Sequence, residues 1–213
     1  MNQKFFVSSG VVLAVAVAAA CASGVAVAEN KYPSQPLKIV VGFAAGGGND
    51  TIARLLGKEL GDSMGVSVVV ENRPGAGGHI AADAVAKAEP NGYTLLLGST
   101  GSQTILPVML PTMSFDPRKG LAPVSLVAES GNALLVNDKV PAKTVAELIA
   151  LAQKKPGELN YGSSGNGSTL HLAGALFAKQ AQINMVHVPY KGNSQAINDV
   201  SGGQIQMVFS GIP

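Results

Sequence analysis

The stretch Leu37-Lys38-Ile39-Val40-Val41-Gly42-Phe43-Ala44-Ala45-Gly46-Gly47-Gly48-Asn49-Asp50 decides how the chain folds. Its first seven residues are β-rich and too apolar for an exposed strand, and the rest is a glycine-rich turn. Beyond the turn, Ile52, Leu55, Leu56 and Leu60 fall on one helical stripe that Gly61 and Gly65 close. A buried strand running through a glycine turn into an amphipathic helix is the unit of a parallel sheet covered by helices on both faces.

The unit recurs outward from there. Residues 66–70 read as a second strand, and Ile80, Ala81, Ala84, Val85 and Ala88 as a second helical stripe stopped by Pro90-Asn91-Gly92. Residues 94–98 read as a third strand. Pro107, Pro111, Pro117 and Pro123 then break the rhythm, too many for a regular helix or an inner strand. Residues 121–127 and 133–136 read as strands on either side of Glu129-Ser130-Gly131-Asn132, and the chain is expected to cross between two lobes here. Alternation resumes with a helix over 144–154, opened by a capping box of Thr144 and Glu147. Strands over 159–163, 185–188 and 205–209 and helices over 169–179 and 194–200 complete the pattern.

Ahead of this body lies a segment of different character. Lys4 is the only charge before Glu29, residues 11–22 are an unbroken small-apolar run, and Ala26-Val27-Ala28 offers an A-x-A site. These are the marks of a secretory signal peptide cleaved after Ala28, with export as the consequence. An uncleaved anchor is disfavoured because Ser8, Ser9, Gly10, Ser23 and Gly24 interrupt the apolar run. Cys21, the only cysteine, falls in this segment, and Ala18 stands where a lipoprotein signal has a larger aliphatic residue. The processed chain is therefore expected to have no thiol for a disulfide, a thiolate metal site or a nucleophile. The expected organisation is a signal peptide over 1–28, a first α/β lobe over 29–127 and a second over 128–213.

Composition narrows the function. Of 213 residues 46% are hydrophobic and 13% charged, which excludes a disordered tail or a charged adaptor because so much apolar surface demands burial. A net charge of +2 without a clustered basic face argues against a nucleic-acid partner.

The chemistry is expected in four strand-to-helix turns rich in Gly, Ser and Thr: 43–50, 98–102, 162–169 and 189–194. In an open parallel sheet such turns lie together at the carboxyl ends of the strands, where ligands bind. The helix N-termini that follow present free N–H groups and partial positive charge, so they favour an anion without needing an arginine. A P-loop is excluded because neither Lys nor Ser/Thr follows the glycines of 46–48, and the dinucleotide fingerprint fails at Thr51. A nucleophile elbow is missed at Asn166, which leaves a serine hydrolase using Ser164 and His171 as the rival reading. His79, His171 and His187 show no metal-ligand spacing, so neither a metal nor a cofactor is expected. Asp50 invites an ion pair with Arg54 or a place at the cleft edge, Phe43 a core position or a cleft wall, and Lys191 a solvated or a functional charge.

The chain from Tyr32 onward resembles the Bug family, the periplasmic solute-binding proteins of tripartite tricarboxylate transporters. The resemblance rests on Tyr32-Pro33-x-x-Pro36, Phe43-Ala44-Ala45-Gly46-Gly47-x-x-Asp50-x-x-Ala53-Arg54, Glu71-Asn72-Arg73-Pro74-Gly75-Ala76-Gly77-Gly78 and Pro90-Asn91-Gly92-Tyr93. The second lobe adds Asn160-Tyr161-Gly162-Ser163-Ser164-Gly165-x-Gly167-Ser168 and Val188-Pro189-Tyr190-Lys191-Gly192, with Asp199 and Gly203-Gln204 beyond them. Gly42 and Asn91 depart from residues common in the family. The resemblance implies a two-lobed α/β receptor of the periplasmic-binding-protein kind with parallel-rich sheets, monomeric and non-catalytic, closing on a small carboxylate and presenting it to a membrane permease. It implies contacts from Phe43, Ala45, Gly46, Asp50, Ser99 and Thr100 in the first lobe. From the second it implies Ser163, Ser164, Gly165, Ser168, Thr169, Tyr190, Lys191 and Gly192. Family members run on well past this length and return to complete the first lobe, so a C-terminally truncated chain with an incomplete first lobe, and an inert fragment as its limiting case, is the corresponding expectation.

Overall fold

A computed structural model of the chain describes residues 32–110 and 113–212. The expected signal peptide, the cleavage site at Ala28 and Cys21 lie outside the described residues. From Gln35 onward the chain packs as one unit carrying two sheets.

The first sheet has the order β2-β1-β3, with β1 (Leu37–Val41) flanked in parallel by β2 (Val68–Asn72) and β3 (Thr94–Leu97). Ile39 pairs with Val70 on one side and with Leu95 on the other. Ile39 and Val41 alternate onto the face covered by α1 (Gly48–Met64), where they meet Ala53, Leu56 and Leu60. The helix comes in close because of Gly57, where a β-carbon would stand 3.3 Å from a Val68 methyl. A glycine inside a helix costs about 1 kcal/mol relative to alanine, a loss that the closer apolar packing offsets. Helix α2 (His79–Ala86) follows β2 and buries Ala81 and Ala82.

The second sheet has the order β4-β7-β5-β6. Strand β5 (Asn160–Ser163) is parallel to both β6 (Val186–Pro189) and β7 (Met207–Gly211), and β4 (Asn132–Val136) is antiparallel to β7. Alternation along β7 serves two cores at once. Met207 joins Leu148, Ala152, Leu159 and Tyr161 on one face, and Val208 joins Ala196, Val200 and Ile205 on the other.

Three connections in this half follow their capping chemistry. The helix at Val145–Lys154 has Thr144 Oγ1 accepting the Glu147 N–H at 3.2 Å, and the Glu147 carboxylate reaches back to the Lys143 N–H, one residue further than a standard capping box. The helix at Thr169–Ala181 is capped by Ser168, and the helix at Asn193–Gly202 ends at Gly203 in the left-handed conformation.

The structure corrects several sequence expectations. Residues 121–127 form no strand: they run without regular structure and exposed, with Val124 at 87% and Leu126 at 75% exposure, and no strand among the described residues pairs with them. The proline-rich region is not devoid of helix. A π-helical turn at Gly101–Ile105 leads into a helix at Leu106–Met109, and a further turn forms at Pro117–Gly120; Pro107 and Pro117 sit in first turns, where no N–H is required. Covering of the first sheet is uneven, since β3 is half-buried throughout and Val69 is half-exposed. In chain order we call the helices after α2 α3 (Leu106–Met109), α4 (Pro117–Gly120), α5 (Val145–Lys154), α6 (Thr169–Ala181) and α7 (Asn193–Gly202).

Leu148, at 2% exposure, anchors α5 to the second sheet. Leu148→Ala is expected to cost about 2–5 kcal/mol in urea unfolding, whereas Thr144→Ala, which removes only the cap, costs about 1 kcal/mol.

Candidate functional site

Every strand-to-helix turn singled out in the sequence lies at the carboxyl end of its strand, and the turns of the two sheets meet. The Ala44 N–H donates to the Lys191 carbonyl at 3.1 Å, and the Ser194 hydroxyl donates to the Ala45 carbonyl at 3.4 Å. Gly192 is buried against Ala44, where a β-carbon would lie 2.8 Å from the alanine methyl. Gly101 faces the Gly167 carbonyl, Ser168 and the Thr169 N–H. The first sheet thus touches the second through backbone, at separations that only missing side chains permit.

A fifth turn, after β2, sits in the middle of this junction and is absent from the four that the sequence singles out. A β-carbon on Gly77 would lie 2.5 Å from the Asn166 carbonyl oxygen, and Gly165 packs against the Gly77 N–H and the Tyr190 carbonyl. Gly78 lies under the Phe43 ring and against Ser102. Its signal is Pro74-Gly75-Ala76-Gly77-Gly78, a strand-to-helix glycine run that, like residues 43–50, carries no serine or threonine.

The individual residues divide by what their atoms are bonded to. Phe43 is buried as a wall of the first-sheet loops, and Ala45 and Gly46 are exposed beside it. Asp50 does not reach outward. Its carboxylate accepts the Gly46 N–H at 3.0 Å, Arg54 Nε at 2.9 Å and Asn72 Nδ2 at 2.9 Å. Asn72 Nδ2 also donates to the Phe43 carbonyl at 3.1 Å. Asp50 and Asn72 together tie both ends of the 43–46 turn to α1 and β2. The Arg54 hydrogen bond, with those of Gly46 and Asn72, outweighs burial and brings the Asp50 pKa down to about 2. Ser99 and Ser102 bond each other across the third turn, and Thr100 is exposed at its start.

In the second sheet, Ser163 is fully buried, with Oγ 2.6 Å from His187 Nε2 and accepting the Gly165 N–H at 3.1 Å. Ser168 caps α6 by accepting the His171 N–H at 3.2 Å, with Thr169 half-buried next to it. Tyr190 turns its hydroxyl inward to Asp199 at 2.6 Å, and burial followed by that carboxylate raises its pKa to about 12. Lys191 enters the junction through its carbonyl while its side chain is exposed. The Ser164–His171 pair of the hydrolase reading is not formed: His171 Nδ1 accepts the Gly167 N–H at 3.2 Å, and it makes no hydrogen bond with Ser164. The physical reason is the helical start at Ser168, which turns His171 back under its own loop.

Two concavities lie away from the junction. One of about 480 Å³ runs along α1 and β2 between Arg54, Gly61 and Val68; the other, of about 300 Å³, lies between Leu135, Ile197 and Val208. Neither gathers hydrogen-bond donors from both sheets. The junction does, since the N-termini of α1, α6 and α7 all open onto it and the first N–H groups of a helix have no partner within it.

The Asp50 brace has a measurable sign. Its folded-state pKa is depressed, so its stabilisation is complete above about pH 4 and is lost as pH falls through about 2. Asp50→Asn is expected to remove about 2 kcal/mol at pH 7 and to flatten the acid limb between pH 4 and 2, read from urea midpoints.

Residues 52–213 match the family described as "Tripartite tricarboxylate transporter family receptor". Protein BugT of Bordetella pertussis is 37% identical over 190 residues, covering 88% of this chain and 58% of BugT. A solved structure titled "R. palustris Rpa4515 with adipate" is 36% identical with a TM-score of 0.83, over 85% of this chain and 61% of that one. MatC from Rhodopseudomonas palustris, solved with bound malate, is 30% identical with a TM-score of 0.80, over 84% and 61% respectively. The chain therefore spans about three fifths of the length of the relatives it matches. With this fold, these motifs and these relatives, the chain belongs to the tripartite tricarboxylate transporter receptor family, the Bug family of solute-binding proteins.

Proposed function

We propose that the chain is the solute-binding part of an extracytoplasmic receptor that holds a small carboxylate between its two sheets. The observation that carries this reading is the convergence of helix N-termini and glycine turns from both sheets on one junction. Backbone N–H groups there offer a carboxylate charge-assisted hydrogen bonds without a buried lysine or arginine. The relatives solved with adipate and malate support the solute class. The turns touch each other, so access requires the two sheets to part, and a solute bridging them favours the closed form by its differential affinity.

In this reading the carboxylate contacts come from 43–50 and 98–102 on one side and from 163–169 and 190–192 on the other. Asp50 and Tyr190 act by shaping these turns, since their polar atoms are engaged within the protein. The lobes divide near residue 127. The receptor is exported to the periplasm through the N-terminal signal, works as a monomer without catalysis or cofactor, and hands its solute to the permease of a tripartite tricarboxylate transporter.

Adipate and malate, with sugars and amines as controls, test the proposal by thermal melting and calorimetry. A ligand at about 100 times its Kd is expected to raise Tm by roughly 5–10 °C. Carboxylates alone should do so, and a cooperative melt unmoved by all of them counts against the receptor. Gly192→Val is expected to lower the Tm without ligand, because its extended backbone accepts any residue but a β-carbon there would lie 2.8 Å from the Ala44 methyl, and to weaken carboxylate binding by at least about tenfold by blocking approach to Ala44.

A further inference from the structure

Two imidazoles lie under the second-sheet turns and take no part in the proposed carboxylate contacts. His171 stands in the first turn of α6 and His187 on β6, and their rings stack with centroids 4.1 Å apart at 27°. Each ring holds one part of the same turn. His171 Nδ1 accepts the Gly167 N–H at 3.2 Å, and His187 Nε2 lies 2.6 Å from Ser163 Oγ, which accepts the Gly165 N–H at 3.1 Å.

An imidazole nitrogen accepts a hydrogen bond only while it carries no proton. The Gly167 bond therefore requires neutral His171 with its proton on Nε2. A second proton would set an N–H against an N–H and place a charge on a half-buried ring stacked on another imidazole. The surroundings supply no compensation. Strand β5 contributes Tyr161, whose ring centre is 5.0 Å from that of His187, and Ser163. Met207 and Phe209 from β7 bring no charge to this side of the sheet, and no carboxylate hydrogen-bonds to either imidazole among the described residues.

We infer that His171 is a positioning residue whose neutral ring holds the Gly165–Ser168 turn in its binding form, so that acid releases the turn and lowers carboxylate affinity. The inference rests on the receptor reading and adds a regulation to it. Burial lowers the His171 pKa, and burial together with the neighbouring His171 brings His187 down to about 4. With folded-state values below the ordinary histidine range, the bonded form is intact at neutral pH and is lost as pH falls through those lowered values.

The test compares the full chain with its His171→Asn variant, whose side-chain carbonyl can accept from Gly167 without titrating. Adipate affinity is measured by calorimetry from pH 7 to 4. Adipate itself gains protons over this range, so the quantity read is the difference between the two proteins. The wild type is expected to lose at least about tenfold more affinity than His171→Asn, the scale of one hydrogen bond. Equal losses overturn the inference. A second reading needs no ligand and no variant: ¹⁵N NMR of the wild type should show His171 as the Nε2–H tautomer at pH 7, with Gly167 amide protection that falls as His171 titrates. An unprotected Gly167 amide at pH 7, or an Nδ1–H tautomer, overturns the inference. If neither adipate nor malate binds at pH 7, the receptor reading fails for these solutes, and the amide and tautomer measurements alone decide whether His171 controls the turn.

Discussion

The close approach of backbone to backbone between the turns of the two sheets is the constraint on which the rest of this structure depends. Ala44 hydrogen-bonds to Lys191 across the junction, and Gly77 lies where any β-carbon would strike the Asn166 carbonyl. Contacts of this kind leave no room for side chains to do the recognising. What remains at the junction is main chain, the starts of three helices and a few short hydroxyls, a combination that suits an anion because its donors are fixed before any ligand arrives. Three polar side chains near the junction turn inward, while that of Lys191 is exposed. Asp50, Asn72 and Tyr190 each spend their polar atoms on bracing a turn.

Such bracing is effective because it is buried and fully paired. A carboxylate at 4% exposure would be costly alone, but three donors hold Asp50 in its charged form. The second sheet solves the same problem with neutral groups, where Ser163 bonds His187 and His171 holds Gly167 by a bond that depends on its imidazole staying unprotonated. One lobe's turn is thus held by a charge that persists to strongly acidic pH, the other's by rings that gain charge more readily. This asymmetry is a property of the packing around two loops that look alike as sequences.

Much of the architecture is legible in the order of residue types alone. The alternation of apolar strands with helical stripes locates every strand of the two sheets to within two residues, because burial on both faces leaves a strong compositional trace in β1 and β7. Residues 121–127 mislead for the same reason. Their composition is that of a strand, but a strand also needs a partner to satisfy its backbone, and none among the described residues pairs with them. Four of the glycine turns that meet at the junction are legible as strand-end loops, while the one after β2 emerges only from the packing.

By itself the sequence determined the two-sheet α/β plan, the glycine turns at the strand ends, the cap at Thr144 and the family, since each depends on residue type at short spacing along the chain. Only the tertiary structure decided which turns touch, that Gly77 lies at their centre, and that Ser163 rather than Ser164 meets a histidine. It also decided that Asp50 faces inward. Those outcomes depend on how β1, β5 and β6 place loops that are far apart in sequence, and on donors and acceptors that become neighbours only once the sheets are packed.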